Sequence, residues 1–164
     1  HYALVELEKY FDVYIITQNV DDLHERAGSK NILHLHGELT KARSSWDPNL
    51  ILDIGYNDIN IGDKAPDGSP LRPHIVWFGE DVPFFPKAVE LVQTADIFLV
   101  IGTSLVVYPA ASLIYYCRSD VPIYLVDPKA NTMNIARDNV YYIAEQATVG
   151  VPRLVKELIE HYAK

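Results

Sequence analysis

Cysteine is nearly absent from this chain. Its single thiol, Cys117, sits in an apolar run. One thiol cannot close an internal disulfide, so the fold must stand on packing, and this usage fits a reducing, cytoplasmic setting. Positive charge is also scarce. Fourteen Lys and Arg against 22 Asp and Glu give a formal net charge of −8. That argues against broad binding to nucleic acid or to an anionic membrane, both of which call for a basic face. It leaves room for a basic peptide. No apolar run reaches the length of a membrane span, and the first residues lack the pattern of a signal peptide. There is no internal repeat and no low-complexity tract. The chain opens on His1 rather than Met, so it is not expected to begin where translation began. What is present is ordinary for one globular domain: 164 residues, 49% hydrophobic and 22% charged, enough apolar material for a real core.

The patterning is that of an α/β protein. "YALVELEKYF" has apolar residues at helical spacing, and "DVYIITQN" reads as a strand centred on Val13 to Ile16. "NILHLHG" reads as a second strand ended by Gly37. From Glu38 to Arg72 the texture changes to Asn, Asp, Gly, Ser and Pro with scattered apolar residues, the signature of a separate small module. "HIVWFGE" then reads as a return to a buried strand. "PKAVELVQTA" is a helix and "DIFLVIGTS" a nearly continuous apolar strand. "PAASLIYYC" reads as a helix with Pro109 at its first position. "PIYLVD" and "VYYIA" are strands, and "VPRLVKELIEHY" is a closing amphipathic helix. Apolar strands alternating with helices predict a doubly wound parallel, Rossmann-like sheet over residues 1–37 and 73–164, with a small inserted module at 38–72.

In such sheets, ligands bind beyond the carboxyl ends of the strands. There the stretch "IITQNVDDLHERAG" turns abruptly from apolar to polar. Asn19 and Asp21 are placed to bind a carboxamide or sugar hydroxyls, or to form an Asx turn or helix cap. His34 and His36, two apart, share one face of a strand. A general base or a metal pair is one reading; one buried, hydrogen-bonded histidine beside one functional histidine is the other, favoured for His34. Gly102-Thr103-Ser104 leads from a strand towards a helix, where free backbone N–H groups favour an anion.

Taken in order, "TQNVDDLHERAG", "LHLHGEL", "LRPHIVWFGE" and "IGTSLVVYPAA" closely resemble the sirtuins, NAD-dependent protein deacylases, of bacterial type. The resemblance covers essentially the whole chain. It implies NAD as cofactor, with Gln18, Asn19 and Asp21 holding nicotinamide and its ribose, His36 as general base, and Gly102, Thr103 and Ser104 contacting the adenosine half. It implies that Phe78, Gly79 and Glu80, with Val106, Val107 and Tyr108, flank an acylated peptide bound as an added strand, and that Val76 and Phe78 line the acyl-lysine tunnel. The implied reaction is attack of the acyl oxygen on the ribose carbon bearing nicotinamide, followed by proton removal from a ribose hydroxyl by the histidine. The products are lysine, nicotinamide and O-acyl-ADP-ribose. The expected partner is acylated lysine in proteins or peptides, with neither nucleic acid nor membrane.

Two departures from the resemblance shape further expectations. Most sirtuins hold a structural zinc through four cysteines in the small module, whereas residues 38–72 contain none, and Ser44 falls near an expected ligand position. No metal is therefore assigned to this chain. Trp46, Leu50, Ile51, Leu52, Ile54, Tyr56, Ile59 and Ile61 are expected to form a replacement core. The family's Gly-rich cofactor loop and first strand would precede His1, so the N-terminal part of the fold is expected to be absent and the 164-residue chain alone inactive. The family's ribose-binding Asn falls near Leu125 or Asp127 here. A catalytically silent nucleotide- or peptide-binding fragment is the alternative function. A metal hydrolase built on His34, His36 and Asp21 is a third reading.

Overall fold

The computed structural model describes residues 1–163. Its main body holds two parallel sheets. One pairs β1 (Ile15–Thr17) with β2 (Ile32–His34). The other runs in the order β6 (Phe98–Ile101), β7 (Ile123–Val126), β8 (Val140–Ile143). The two sheets are not hydrogen-bonded to one another, yet they share both layers of one core. On one side Ile15 clusters with Leu99, Ile101 and Val126 beneath α1 (Tyr2–Leu7) and α4 (Ala147–Tyr162). On the other, Ile16 and Leu33 pack with Val100, Ile123 and Leu125 beneath α3 (Phe85–Thr94) and a 3₁₀ helix, Ala110–Tyr115. Alternate residues of each strand thus face opposite helical layers, as the period of two requires. In β7, Ile123, Leu125 and Val126 are completely buried, and burying each such side chain contributes about 1.5–3 kcal/mol. Helices on both faces of parallel strands are the doubly wound arrangement that the patterning predicts.

The structure differs from the sequence reading at several junctions. β2 ends at His34, and Gly37 opens the next strand instead of closing this one. Gly37 has φ +85°, and an added Cβ would lie 2.0 Å from the His74 carbonyl oxygen. Only glycine permits that approach. "HIVWFGE" is not a strand of the parallel sheet. Its first residues end β5 (Leu71–Ile75), which pairs antiparallel with β3 (Gly37–Ser44) and is half-buried throughout. β3 also pairs antiparallel with β4 (Ile51–Asp53), so the second sheet type belongs to the module and reaches to Ile75. "PAASLIYYC" forms a 3₁₀ helix with Pro109 as its cap, not an α-helix with Pro109 inside. The Ser112 N–H and hydroxyl both bond the Pro109 carbonyl, at 2.9 and 2.7 Å, which tightens the turn to three residues.

The expected apolar core of the module is not there. Trp46 is 70% exposed, Tyr56 80%, and Ile51 and Ile61 also face solvent, while Leu50, Leu52, Ile54 and Ile59 are only half-buried. Buried instead are Ala42, Ala65, Ser44 and Ser69. A three-residue β4 and a long loop give large side chains no second layer to pack against. Polar groups tie the module together. Ser44 Oγ donates to Asp67 Oδ2 (2.5 Å), lies 2.8 Å from Ser69 Oγ, and accepts the N–H groups of Trp46 (3.0 Å) and Asp47 (2.9 Å). The Ser69 N–H donates to Asp67 Oδ1 at 2.9 Å. These bonds hold the Asp67 carboxyl below its ordinary value, the Ser44 hydroxyl contributing most.

Candidate active site

The polar rim forms where β1 runs out. The Asn19 N–H donates to Thr17 Oγ1 (3.0 Å), turning the chain, and Asp21 Oδ1 accepts the Leu23 N–H (3.1 Å) at the start of α2 (Leu23–Ala27). One oxygen of Asp21 therefore makes the Asx turn, while the other remains available to a ligand. The two histidines of "HLHGE" both turn Nδ1 towards this loop. His34 Nδ1 lies 3.3 Å from the Asn19 carbonyl and His36 Nδ1 3.2 Å from the Gln18 carbonyl. Their other nitrogens differ. His34, only 8% exposed, has Nε2 at 2.6 Å from Glu25 Oε1. His36 is half-buried, and among the described residues its Nε2 has no hydrogen-bond partner. An Nδ1–H donated to a carbonyl leaves the lone pair of His36 on Nε2, the state a general base needs. The His36 carbonyl accepts the Val76 N–H (2.9 Å), tying the base to the segment after β5.

The loop after β6 meets the same rim. Gln18 Nε2 donates to Thr103 Oγ1 at 3.4 Å, and that hydroxyl also accepts the Leu105 N–H (3.2 Å). Gly102 carries φ +61°, and its neighbour Ser104 is exposed. Gln18, Asn19, His36 and Thr103 are thus brought together. Asp21 stands at the edge of a cleft of about 490 Å³ between rim and module, lined also by Asp22, Leu39, Thr40, Tyr56 and Pro73; His36 and Gln18 do not line it. Leu125 is fully buried and can touch no ligand there. Asp127, just past β7, accepts the Lys129 N–H at 2.7 Å.

Val106, Val107, Tyr108 and Phe78 are exposed apolar side chains, Phe78 at 96%. The turn carrying Phe78 and Gly79 is pinned from below. Glu80 accepts both Arg72 Nη atoms (2.8 and 3.2 Å), Arg43 Nη2 (3.3 Å) and the Trp77 N–H (3.0 Å). Those bonds, Arg72 foremost, hold the Glu80 carboxyl below its usual value. Sequence reasoning placed Glu80 beside the substrate but missed Arg43, Arg72 and Glu25. Arg72 lies within the quoted "LRPHIVWFGE"; Arg43, 37 residues from Glu80, carries no local signal. The triad of His34, His36 and Asp21 does not converge. The group that gathers instead is Glu25, His34 and Glu38, with ligand atoms within 4.8 Å of one another. His34 and Glu25 already bond each other there, and Glu38 is paired with Lys41 Nζ at 2.7 Å.

Comparison with known proteins identifies the lineage. Residues 1–109 match the Sir2 family. The chain is 54% identical over 160 residues to an NAD-dependent protein deacylase of Helicobacter pylori (strain ATCC 700392 / 26695), covering 98% of this chain and 69% of that protein. A mutant Sir2 homologue in complex with ADP-ribose superimposes with TM-score 0.85 at 37% identity, over 98% of this chain and 66% of the other. A Sir2 structure with an inhibitor, 2'-O-acetyl-ADP-ribose and a deacetylated p53 peptide gives TM-score 0.74 at 30% identity, over 98% and 69%. The chain spans about two thirds of the length of these relatives. It belongs to the Sir2 family.

Proposed function

We propose that this chain supplies the general base, the nicotinamide-side pocket and the peptide rails of an NAD-dependent protein deacylase. The activity is NAD-dependent deacylation of acylated proteins, and His36 is the base. One observation carries that assignment: the Nδ1 of His36 faces the Gln18 carbonyl, leaving Nε2 unpartnered among the described residues. A histidine so held has a fixed tautomer and a free lone pair at the rim.

The residues present fit the cofactor. Amides of Gln18 and Asn19, a spare carboxylate oxygen of Asp21 and the hydroxyl of Thr103 share one rim, and a single hydrogen bond joins Gln18 to Thr103. NAD, when bound, supplies the ribose carbon that accepts the acyl oxygen as nicotinamide leaves. The chain's own groups do the rest. Gln18, Asn19 and Asp21 orient the carboxamide and ribose. His36 Nε2 takes the proton of a ribose hydroxyl. Gly102, Thr103 and Ser104 meet the adenosine side. Phe78 and Gly79 on one side, and Val106, Val107 and Tyr108 on the other, are exposed rails for an extended acyl-lysine peptide, and Val76 and Phe78 wall its acyl chain. Glu80 holds the first rail through Arg72 and Arg43. The parallel-sheet body at 1–37 and 73–164 and the module at 38–72 are read as the cofactor-binding domain and a zinc-free counterpart of the family's zinc module.

The test is nicotinamide release from NAD with an acetyl-lysine peptide, measured on the protein that carries this chain. His36→Ala should lower kcat/KM by about 10²–10⁴-fold, the usual weight of a general base, with an unchanged melting temperature. A rate within a fewfold of the parent would remove His36 from that role. Peptide and nucleotide binding without any release would point instead to a silent binding module.

A further inference from the structure

His34 is not accounted for by the reaction. It is nearly buried, its charge partners lie on different elements, and it touches the backbone of the loop that carries Asn19 and Asp21. Its Nδ1 lies 3.3 Å from the Asn19 carbonyl oxygen and its Nε2 2.6 Å from the Glu25 carboxylate. Both partners are acceptors. The ring therefore bridges α2 and the loop that follows β1. Glu38 brings a second carboxylate to within 4.8 Å. The titratable and charged groups around the ring are Glu25 and His24 of α2 and Glu38 of β3, the last already bonded to Lys41. The neutral state of neighbouring His24 is favoured first by its burial, and His34 adds to that effect.

We infer that His34 is a positioning residue: bridging the Glu25 carboxylate of α2 and the Asn19 carbonyl, it sets the orientation of the nicotinamide-side loop. The two histidines then divide the work. Among the described residues nothing occupies the second nitrogen of His36, whereas a carboxylate occupies that of His34 and ties its ring to α2. The inference rests on the reading of Asn19 and Asp21 as the nicotinamide-side pocket.

The experiment compares the wild-type protein with His34→Leu, His34→Gln and His36→Ala, reading KM for NAD, kcat and melting temperature. His34→Leu should raise KM for NAD about three- to tenfold, the weight of one hydrogen bond, with a smaller change in kcat. His34→Gln, whose amide can still bond the Asn19 carbonyl, should recover much of the wild-type KM. A His34→Leu protein with lower melting temperature but unchanged KM would reduce His34 to a structural role and overturn the inference, as would a His34→Gln protein with KM no better than that of His34→Leu. No nicotinamide release by the wild-type protein would sink the deacylase reading instead, and retained activity in His36→Ala would remove His36 as the base, whatever His34 does.

Discussion

The parallel-sheet body and the small module are built on opposite principles. In the body, β7 runs through the centre with Ile123, Leu125 and Val126 buried from both sides, and burial of apolar area is the source of stability. In the module, the buried positions are two alanines and two serines, while Trp46, Tyr56 and Ile61 stand in solvent. Its centre is a hydroxyl, Ser44 Oγ, on which a carboxylate, a second hydroxyl and two backbone N–H groups converge. The lesson is about what can hold a small module together. Here a polar knot ties the chain, and it does so without the apolar core that the scattered Ile and Leu residues suggest. Buried polar groups are tolerated when each finds a partner, and Ser44 and Ser69 do, through the exposed carboxylate of Asp67 and through each other.

Four changes would break or sharpen that contrast. The largest effect is expected in the body. Leu125→Ala leaves a cavity in a fully buried strand and should cost about 2–5 kcal/mol. Urea unfolding would read it, and a loss under 1 kcal/mol would mean that the body is less tightly packed than its burial indicates. Next comes the knot. Ser44→Ala leaves the Trp46 and Asp47 N–H groups without their acceptor and should cost about 1–3 kcal/mol. Hydrogen exchange should show the loss at amides 44–47 and 69, with β7 unaffected; uniform loss across both regions would show that module and body unfold as one unit.

Acid provides a gentler perturbation. Asp67 and Glu80 both have folded-state pKa values lowered, chiefly by Ser44 and by Arg72 respectively. A lowered carboxyl stabilises the fold above its unfolded value and loses that contribution as pH falls through the folded one. Below about pH 4, where carboxylates begin to protonate, the module and the 77–80 turn should lose exchange protection before β7 does. Simultaneous loss would argue against a local role for these two groups. The smallest effect is predicted for Trp46→Ala. At 70% exposure it should shift stability by no more than about 0.5 kcal/mol, as for surface sites generally. A loss of several kcal/mol would restore Trp46 to the apolar core that sequence reading assigned it.

Legibility in the sequence tracks how local each feature is. The apolar runs at Phe98–Ile101 and Ile123–Val126 become strands at those places, because a strand buried on both faces writes its environment into consecutive residues. Gln18, Asn19, Asp21, His36 and Thr103 likewise lie within four residues of a strand end, as the patterning predicts, while their roles are read from the resemblance. Strand partnership was not. "HIVWFGE" has the composition of a buried strand, yet its first residues pair with β3 in the module, and composition does not say which neighbour a strand will take.

By itself, then, the sequence determined the α/β class, the position of the polar rim and the family, all of which rest on residues near one another in the chain. Only the tertiary structure decided how those residues are held. The Glu25–His34 bond joins residues 9 apart, Ser44–Asp67 residues 23 apart and Arg43–Glu80 residues 37 apart. None belongs to a periodic pattern, because a side-chain hydrogen bond depends on distance and angle in space and leaves no period in the sequence. The same geometry separates two histidines that the sequence presents as equals: a carboxylate occupies the second nitrogen of His34, and among the described residues nothing occupies that of His36.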